Sequence, residues 1–265
     1  MCIAGGVAQN SVANGKITRN TPFKNVYVPP AGHDAGIAMG AALYVQHQQK
    51  KMPRHHMRSA YTGSKFSNAE IAAVLAEQKI AFERLEDDAL YDLVTDCLID
   101  GGVVGWMTGR SEFGPRALGG RSIIADPRRT DAKEILNTKI KRRESFRPFA
   151  PSILKPFVAE YFEVDEPVPF MEKVFPIRHE KQALIPAVTH VDGSGRLQVV
   201  DKETSPRYYA LIESFFKKTG IPILVNTSFN ENEPIVNTPQ QALDCYLRND
   251  MDMLVMENIV VRRKQ

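Results

Sequence analysis

The chain has 265 residues and a mass of 29.7 kDa, with 34 Lys and Arg against 31 Asp and Glu and a formal charge of +3. With 43% hydrophobic and 25% charged residues it is ordinary globular material, which excludes collagen-like, low-complexity and intrinsically disordered chains. There is no apolar run of about 18 residues, no basic stretch leading into an apolar one at the N-terminus, and no CxxC pair among Cys2, Cys97 and Cys245. A membrane span, a secretion signal, a disulfide framework and a structural zinc site are therefore not expected, and a reducing cytoplasm fits best.

In chain order, IAGGV followed by SVANGKITRN reads as a strand end, a tight glycine turn and a short helix. The extended FKNVYVPP follows, then HDAGIAMGAALYVQHQQK, a helix that Asp34 is expected to cap. This first piece of about 50 residues is too small to hold a core alone. It must pack on the rest of the chain or belong to a domain whose front half lies elsewhere.

The polar stretch KMPRHHMRSAYTGSKFS contains Pro53 and shows no apolar period, which predicts a linker over 53–65. A second unit then opens with helices over 68–78 and 88–99, and VVGWM and IIADP read as short buried strands. PAVTHVDG and RLQVV flank a turn, PRYYALIESFFKKTG is an amphipathic helix closed by Gly220, and PILVNTSFN is a strand entering a polar loop. A helix near PQQALDCYLRN and a strand LVMENIVVRR close the chain. Strands and helices mix without strict βαβ alternation, so the fold class expected is mixed α/β (α+β).

Charge is uneven. Residues 110–147 hold eleven basic and five acidic side chains, an excess of +6, twice that of the whole chain. SEFGPRALGGRS places Arg116 and Arg121 in a loop of glycine and proline where guanidinium groups and backbone amides can converge on an anion. Lys133, Lys139, Arg142 and Arg143 read as a solvated helix face. In KRRESFRPFAPS, by contrast, rigid prolines and phenylalanines hold Lys141 and Arg147. The turn THVDGSGR supplies Arg196, and NTSFN brings Asn226 and Ser228 to the end of a buried strand, offering donors and acceptors suited to an amide-like group. His190 reads as a turn or core histidine rather than a base.

AGGVAQNSVANGKI with PPAGHDAGIAMGAAL, EFGPRALGGRSIIADPR, KRRESFRPFAPSIL, VTHVDGSGRLQ and ILVNTSFNENEPIV, in that order, resemble the carboxyl-terminal half of the O-carbamoyltransferases, the nodulation-factor, cephamycin and tobramycin type. The resemblance implies that residues 1–52 are the last portion of a sugar-kinase/actin-like carbamoyl-transfer domain. It implies that residues 66–265 are a YrdC-like domain that activates carbamoyl phosphate with ATP to carbamoyl-adenylate. It assigns Arg116, Lys141 and Arg147 to phosphate and carbamoyl oxygens, Arg196 to the α-phosphate, and Asn226 and Ser228 to the carbamoyl amide and adenylate. Mg2+ is expected with the triphosphate. In the first domain, Gly5, Gly6 and Asn10 match a nucleotide-contacting turn and Asp34 a metal ligand. The family's HxxxH pair is absent from this sequence, where His55 and His56 are adjacent. A Fe2+ or other divalent ion at Asp34 therefore requires histidines from a partner. The resemblance leaves the hydroxyl acceptor open. It leaves two arrangements, a separate chain supplying the front half or a truncated gene; the first predicts exposed apolar surface on the first 50 residues, which favours self-association. A non-catalytic nucleotide- or RNA-binding module is the alternative reading of the same basic surface.

Overall fold

The computed structural model describes residues 1–54, 57–164 and 166–263; His55 and His56 lie outside the described residues. Nine strands form one mixed sheet: β1 (Glu83–Arg84), β2 (Val104–Met107), β3 (Arg121–Ala125), β4 (Ala150–Leu154), β5 (Lys173–Pro176), β6 (Ser194–Val200), β7 (Ile223–Ser228), β8 (Met253–Met256) and β9 (Ile259–Arg262). Their order is β1-β9-β8-β2-β3-β7-β4-β6-β5. Only the β2/β8 and β4/β6 pairs are parallel, which meets the expectation of a mixed α/β fold. Every residue of β2, β3, β4 and β8 is buried. Such runs read as continuously apolar rather than alternating because both sheet faces are covered.

The longer helices are α1 (Ser11–Asn20), α2 (Gly36–Tyr44), α3 (Asn68–Glu77) and α4 (Asp87–Ile99); α5 (Ala132–Ile135), α6 (Val158–Tyr161) and α7 (His179–Gln182) are single turns; α8 (Pro206–Thr219) and α9 (Pro239–Arg248) follow. Local chemistry sets their ends. Ser67 with Glu70, and Thr238 with Gln241, form reciprocal capping boxes. Pro206 and Pro239 occupy first-turn positions where a missing N–H costs nothing. Gly220 closes α8 at φ 74°, a left-handed conformation open to glycine.

Two expectations need correction. Asp34 does not cap α2: Ala35 holds the N-cap position without a side-chain bond, and only the Asp34 carbonyl accepts, from the Ile37 amide. LVMENIVVRR is not one strand, because Glu257 adopts φ 51° and turns the chain so that β8 and β9 pair antiparallel. PAVTHVDG forms a run of turns leading into β6.

The first 50 residues pack on the rest through a close approach of α1 to β5. A Cβ at Gly15 would sit 2.0 Å from the Val174 carbonyl oxygen. Beside it Asn14 Nδ2 donates to the carbonyls of Ala8 (2.8 Å) and Glu172 (3.0 Å). The outer side of this segment is apolar and open to solvent: α2 buries no residue, and Val7, Ile37 and Tyr44 are 77%, 72% and 61% exposed. Replacing the hydrogen of Gly15 by a methyl group, Gly15→Ala, is expected to cost about 1–3 kcal/mol through overpacking. A lowered thermal midpoint with faster proteolytic cleavage in the first 50 residues would show it, and unchanged protection would contradict the close packing.

Candidate functional site

A cavity of ≈ 290 Å3 opens where the ends of β7 and β6 meet two loops. Its walls carry Arg116, Arg143, Arg147, Arg196, Asn226 and Ser228. Five of these are residues singled out from the sequence, drawn from four segments that the sheet brings together.

The loop between β2 and β3 presents Arg116. One carboxylate oxygen of Glu112, Oε1, accepts from the backbone amides of Leu118 (2.6 Å), Gly120 (2.7 Å) and Arg121 (3.3 Å), closing the loop on itself. Gly114 lies against the N-terminal segment, where a Cβ would meet the Pro30 carbonyl oxygen at 2.4 Å. Arg121, expected beside Arg116 at the anion, is instead buried. Its guanidinium donates to the carbonyls of Ser64, Thr108, Gly109 and Gly120, so it holds the loop rather than a ligand.

The second wall follows a π-helical turn, Leu136–Ile140, after α5. Arg142 then takes φ 43°, and the two deviations break the helical face that the basic run suggests. Lys141 is buried, whereas Arg143 reaches the cavity, the functional residue that sequence reasoning placed on a solvated surface. The missed signal lies downstream: a helix cannot run into ESFRPF, because the residue before Pro148 is driven extended. Asn137, also missed, organises this segment. Its Oδ1 accepts from Arg143 Nε (2.8 Å), while its Nδ2 donates to the carbonyls of Ser145 (3.2 Å) and Arg147 (3.0 Å). The Arg143 guanidinium lies 5.0 Å from the centre of the Phe149 ring, a cation–π contact.

The electrostatics are one-sided. Only Arg147 among the four arginines has a carboxylate partner among the described residues, Glu144 at 2.9 Å, and that pair is solvent-exposed. Arg196 Nε is buried without a hydrogen-bond partner. Burial pushes the Arg196 pKa down to about 9, and the neighbouring Arg116 and Arg143 push in the same direction. Burial also lowers the pKa of Arg116, and that of Arg143 with help from Arg147. Elsewhere in the basic run three arginines have carboxylate partners: Arg128 pairs with Asp126, Arg129 with Asp131 and Arg142 with Glu231.

Lys141 sits behind the wall. Its ammonium donates to Ser228 Oγ (3.2 Å), the Asn230 carbonyl (2.7 Å) and Asn230 Oδ1 (2.8 Å), as well as the Ser228 carbonyl, so its protons are spent on the NTSFN turn. Asn226 is fully buried; its Nδ2 has protein acceptors, and its Oδ1 has no donor among the described residues. His190 belongs to the turn before Arg196, with Nδ1 3.2 Å from Ser194 Oγ.

The N-terminal residues stand apart from this cavity. Gly5 at φ 87° and Gly6 form an open turn, Asn10 caps α1 by accepting from the Ala13 amide (3.0 Å), and Asp34 is exposed. Among the described residues no group of three His, Cys, Asp or Glu is placed to hold a metal ion, so the residues at Asp34 do not fit one by themselves. Arg116 borders a small cleft whose other wall is Ala8, Gln9, Pro29 and Pro30. A larger cavity of ≈ 590 Å3 lies between residues 26–28 and the loop carrying Pro167 and Pro169, with mainly apolar walls and none of these arginines.

Residues 95–263 match the family described as carbamoyltransferase C-terminus, and residues 1–43 match carbamoyltransferase N-terminus. Nodulation protein NolO of Bradyrhizobium diazoefficiens is 43% identical over 100% of this chain and 49% of its own length. Protein sll1178 of Synechocystis sp. is 46% identical over 99% and 47%. The chain thus spans about half the length of these relatives. Among solved structures, full-length HypF in its phosphate- and nucleotide-bound form aligns over 64% of this chain and 25% of its own, at 20% identity and a TM-score of 0.47. Sua5 of P. abyssi complexed with L-threonine aligns over 66% and 48%, at 12% identity and a TM-score of 0.44.

Burial pushes the Lys141 pKa down to about 7 from the 10.5 of a free side chain, with Arg143 adding to the effect. Between those values the unfolded chain binds more protons than the folded one, so stability rises as pH climbs from about 7 toward 10, and the cost of burying the charge is full below 7. The wild type is expected to gain about 1–2 kcal/mol over Lys141→Met between pH 7 and 9 in urea denaturation. Parallel profiles for the two proteins would contradict this.

Proposed function

The chain belongs to the carbamoyltransferase family, and from that premise we propose that its arginine-lined cavity activates carbamoyl phosphate with ATP, making carbamoyl-adenylate for transfer to a hydroxyl acceptor. In balanced form, water cleaves carbamoyl phosphate to carbamate and phosphate. A carbamate oxygen then attacks the α-phosphorus of ATP, the bond from that phosphorus to the bridging oxygen breaks, and pyrophosphate leaves. Both substrates are polyanions, and the attack of one on the other is slow unless their charge is neutralised and their atoms aligned.

One observation carries this reading: four guanidinium groups line one cavity, and among the described residues the single carboxylate paired with any of them is the exposed Glu144, on Arg147. Such a site is completed by a ligand of high negative charge. Arginine is suited to it because its planar fork meets phosphate oxygens through paired hydrogen bonds. Arg116 and Arg147 are assigned to phosphate and carbamoyl oxygens, and Arg196, buried and lacking a counter-ion, to the α-phosphate. Arg143 joins them as a cation between Arg147 and Arg196. Asn226 and Ser228 face the carbamoyl amide and adenylate. Lys141 acts from behind, adding charge and holding the Ser228 turn in place. Mg2+ would arrive on the triphosphate, through its own oxygens.

In the same proposal residues 66–265 form the activating module, and residues 1–52 carry the end of the transfer module. This sequence contains no HxxxH pair, so transfer to the acceptor draws on a partner region outside these residues, on the same chain or another. The apolar outer side of α2 is compatible with such a partner or with a second copy.

With ATP and carbamoyl phosphate, the wild type is expected to release pyrophosphate, and Arg196→Ala to lose about 10²–10³-fold in kcat, in line with removal of a preorganised charge-stabilising donor. Equal turnover in the two proteins removes this assignment. Salt-sensitive RNA binding without pyrophosphate release would replace it with the non-catalytic binding module.

A further inference from the structure

Asn226, Ser152 and Gln198 come from three adjacent strands. Ser152 of β4 is in register with Gln198 of β6, and Asn226 of β7 pairs with Ala150, two residues before Ser152 on β4. All three are buried, and their polar ends form one network. Its direction is set at the far end. Gln198 Nε2 lies 2.7 Å from the Leu118 carbonyl oxygen, which also accepts from Tyr61 OH at 2.7 Å. A carbonyl can only accept, so the nitrogen of the Gln198 amide must lie on that side and its oxygen on the other.

The Gln198 oxygen then accepts from Ser152 Oγ and from Asn226 Nδ2, the latter at 2.9 Å. Asn226 Nδ2 also donates to Ser152 Oγ at 3.1 Å and to the Ala117 carbonyl at 3.2 Å. Turned over, the Asn226 amide would set its oxygen against the Ala117 carbonyl and the Gln198 oxygen, two acceptors facing an acceptor. Among the described residues the network therefore leaves Asn226 Oδ1 buried and unpartnered, on a residue that lines the arginine cavity.

We propose that Gln198 is a positioning residue that fixes the Asn226 amide with its oxygen toward the ligand, and thereby makes the site select anions bearing an NH2 group over those bearing CH3. The inference rests on the carbamoyl phosphate reading and adds how that substrate is told from an acyl phosphate of the same shape. The arginines cannot make this distinction, because both anions offer them the same oxygens. The buried acceptor can: an NH2 group satisfies it, and a methyl group leaves it desolvated and unpaired, which separates the two ligands by about 10- to 100-fold.

The test uses phosphonoacetamide and acetonylphosphonate, which resist hydrolysis and differ only in NH2 against CH3, titrated calorimetrically into the full chain without ATP. The wild type is expected to prefer phosphonoacetamide by about tenfold or more. Gln198→Leu, which frees the Asn226 amide to turn, is expected to bring the ratio below about threefold, and Ser152→Ala to give an intermediate ratio. Circular dichroism checks that each variant is folded, and Ser152→Ala, the smaller change, carries the test if Gln198→Leu is not. A general loss of packing would weaken both ligands together and leave their ratio alone. Equal wild-type affinities, no binding of either anion, or a ratio unchanged in the folded variants overturns the proposal. A wild type that discriminates between the two but releases no pyrophosphate overturns the adenylation reading and leaves this one standing.

Discussion

Mutual repulsion among guanidinium groups is the constraint around which this molecule is built. Arg116, Arg143, Arg147 and Arg196 share a cavity; burial depresses the proton affinity of Arg116, and burial with like charge depresses that of Arg143 and Arg196. Left to themselves such groups would swing out to solvent. The cost of holding them is met by neutral contacts that leave the charge intact: Asn137 and the Phe149 ring for Arg143, and the Glu112-closed loop behind Arg116. A carboxylate in direct contact with Arg116, Arg143 or Arg196, such as the exposed Glu144 provides for Arg147, would have stabilised them more but would have cancelled the field that an anionic ligand meets.

The same economy explains the buried lysine and the buried amides. Lys141 is surrounded by oxygens of the Ser228–Asn230 turn, so its charge acts on the cavity without an exposed ammonium. Behind Asn226, Ser152 donates to Gln198 and Gln198 to the Leu118 carbonyl, while Asn226 itself donates to Gln198 and to the Ala117 carbonyl. Those carbonyls belong to the Arg116 loop, so the amide network and the cationic wall are one construction. Strand β7 joins the two because it lies between β3 and β4 in the sheet.

The N-terminal segment is attached to this construction at the Arg116 side. Its α1 helix meets β5 through Gly15, and the Gly114 approach to Pro30 sets the Arg116 loop against it. Tertiary contact of this kind gives the short segment an order it could not sustain alone. Its outward apolar side chains remain uncovered within these residues.

Much of this was legible in the residues themselves. Residue patterning placed α3, α8 and α9, with Gly220 closing α8, the buried runs VVGWM and PILVNTS marked strands, and the glycine–proline loop, the proline-rich segment and the glycine turn distinguished Arg116, Arg147 and Arg196 from ordinary surface charge. These features are local, so composition and spacing reveal them. Arg143 was hidden because a π-helical turn and one left-handed residue, Arg142, redirect it. Arg121 looked like a ligand until its burial among carbonyls was seen. Lys141, which the resemblance assigns to phosphate and carbamoyl oxygens, donates to acceptors 87 and 89 residues further along the chain, which no local pattern reveals. Which cations face the cavity, and which end of an amide does, depend on partners brought close only by strand order, and strand order is a property of the folded sheet rather than of any stretch of chain.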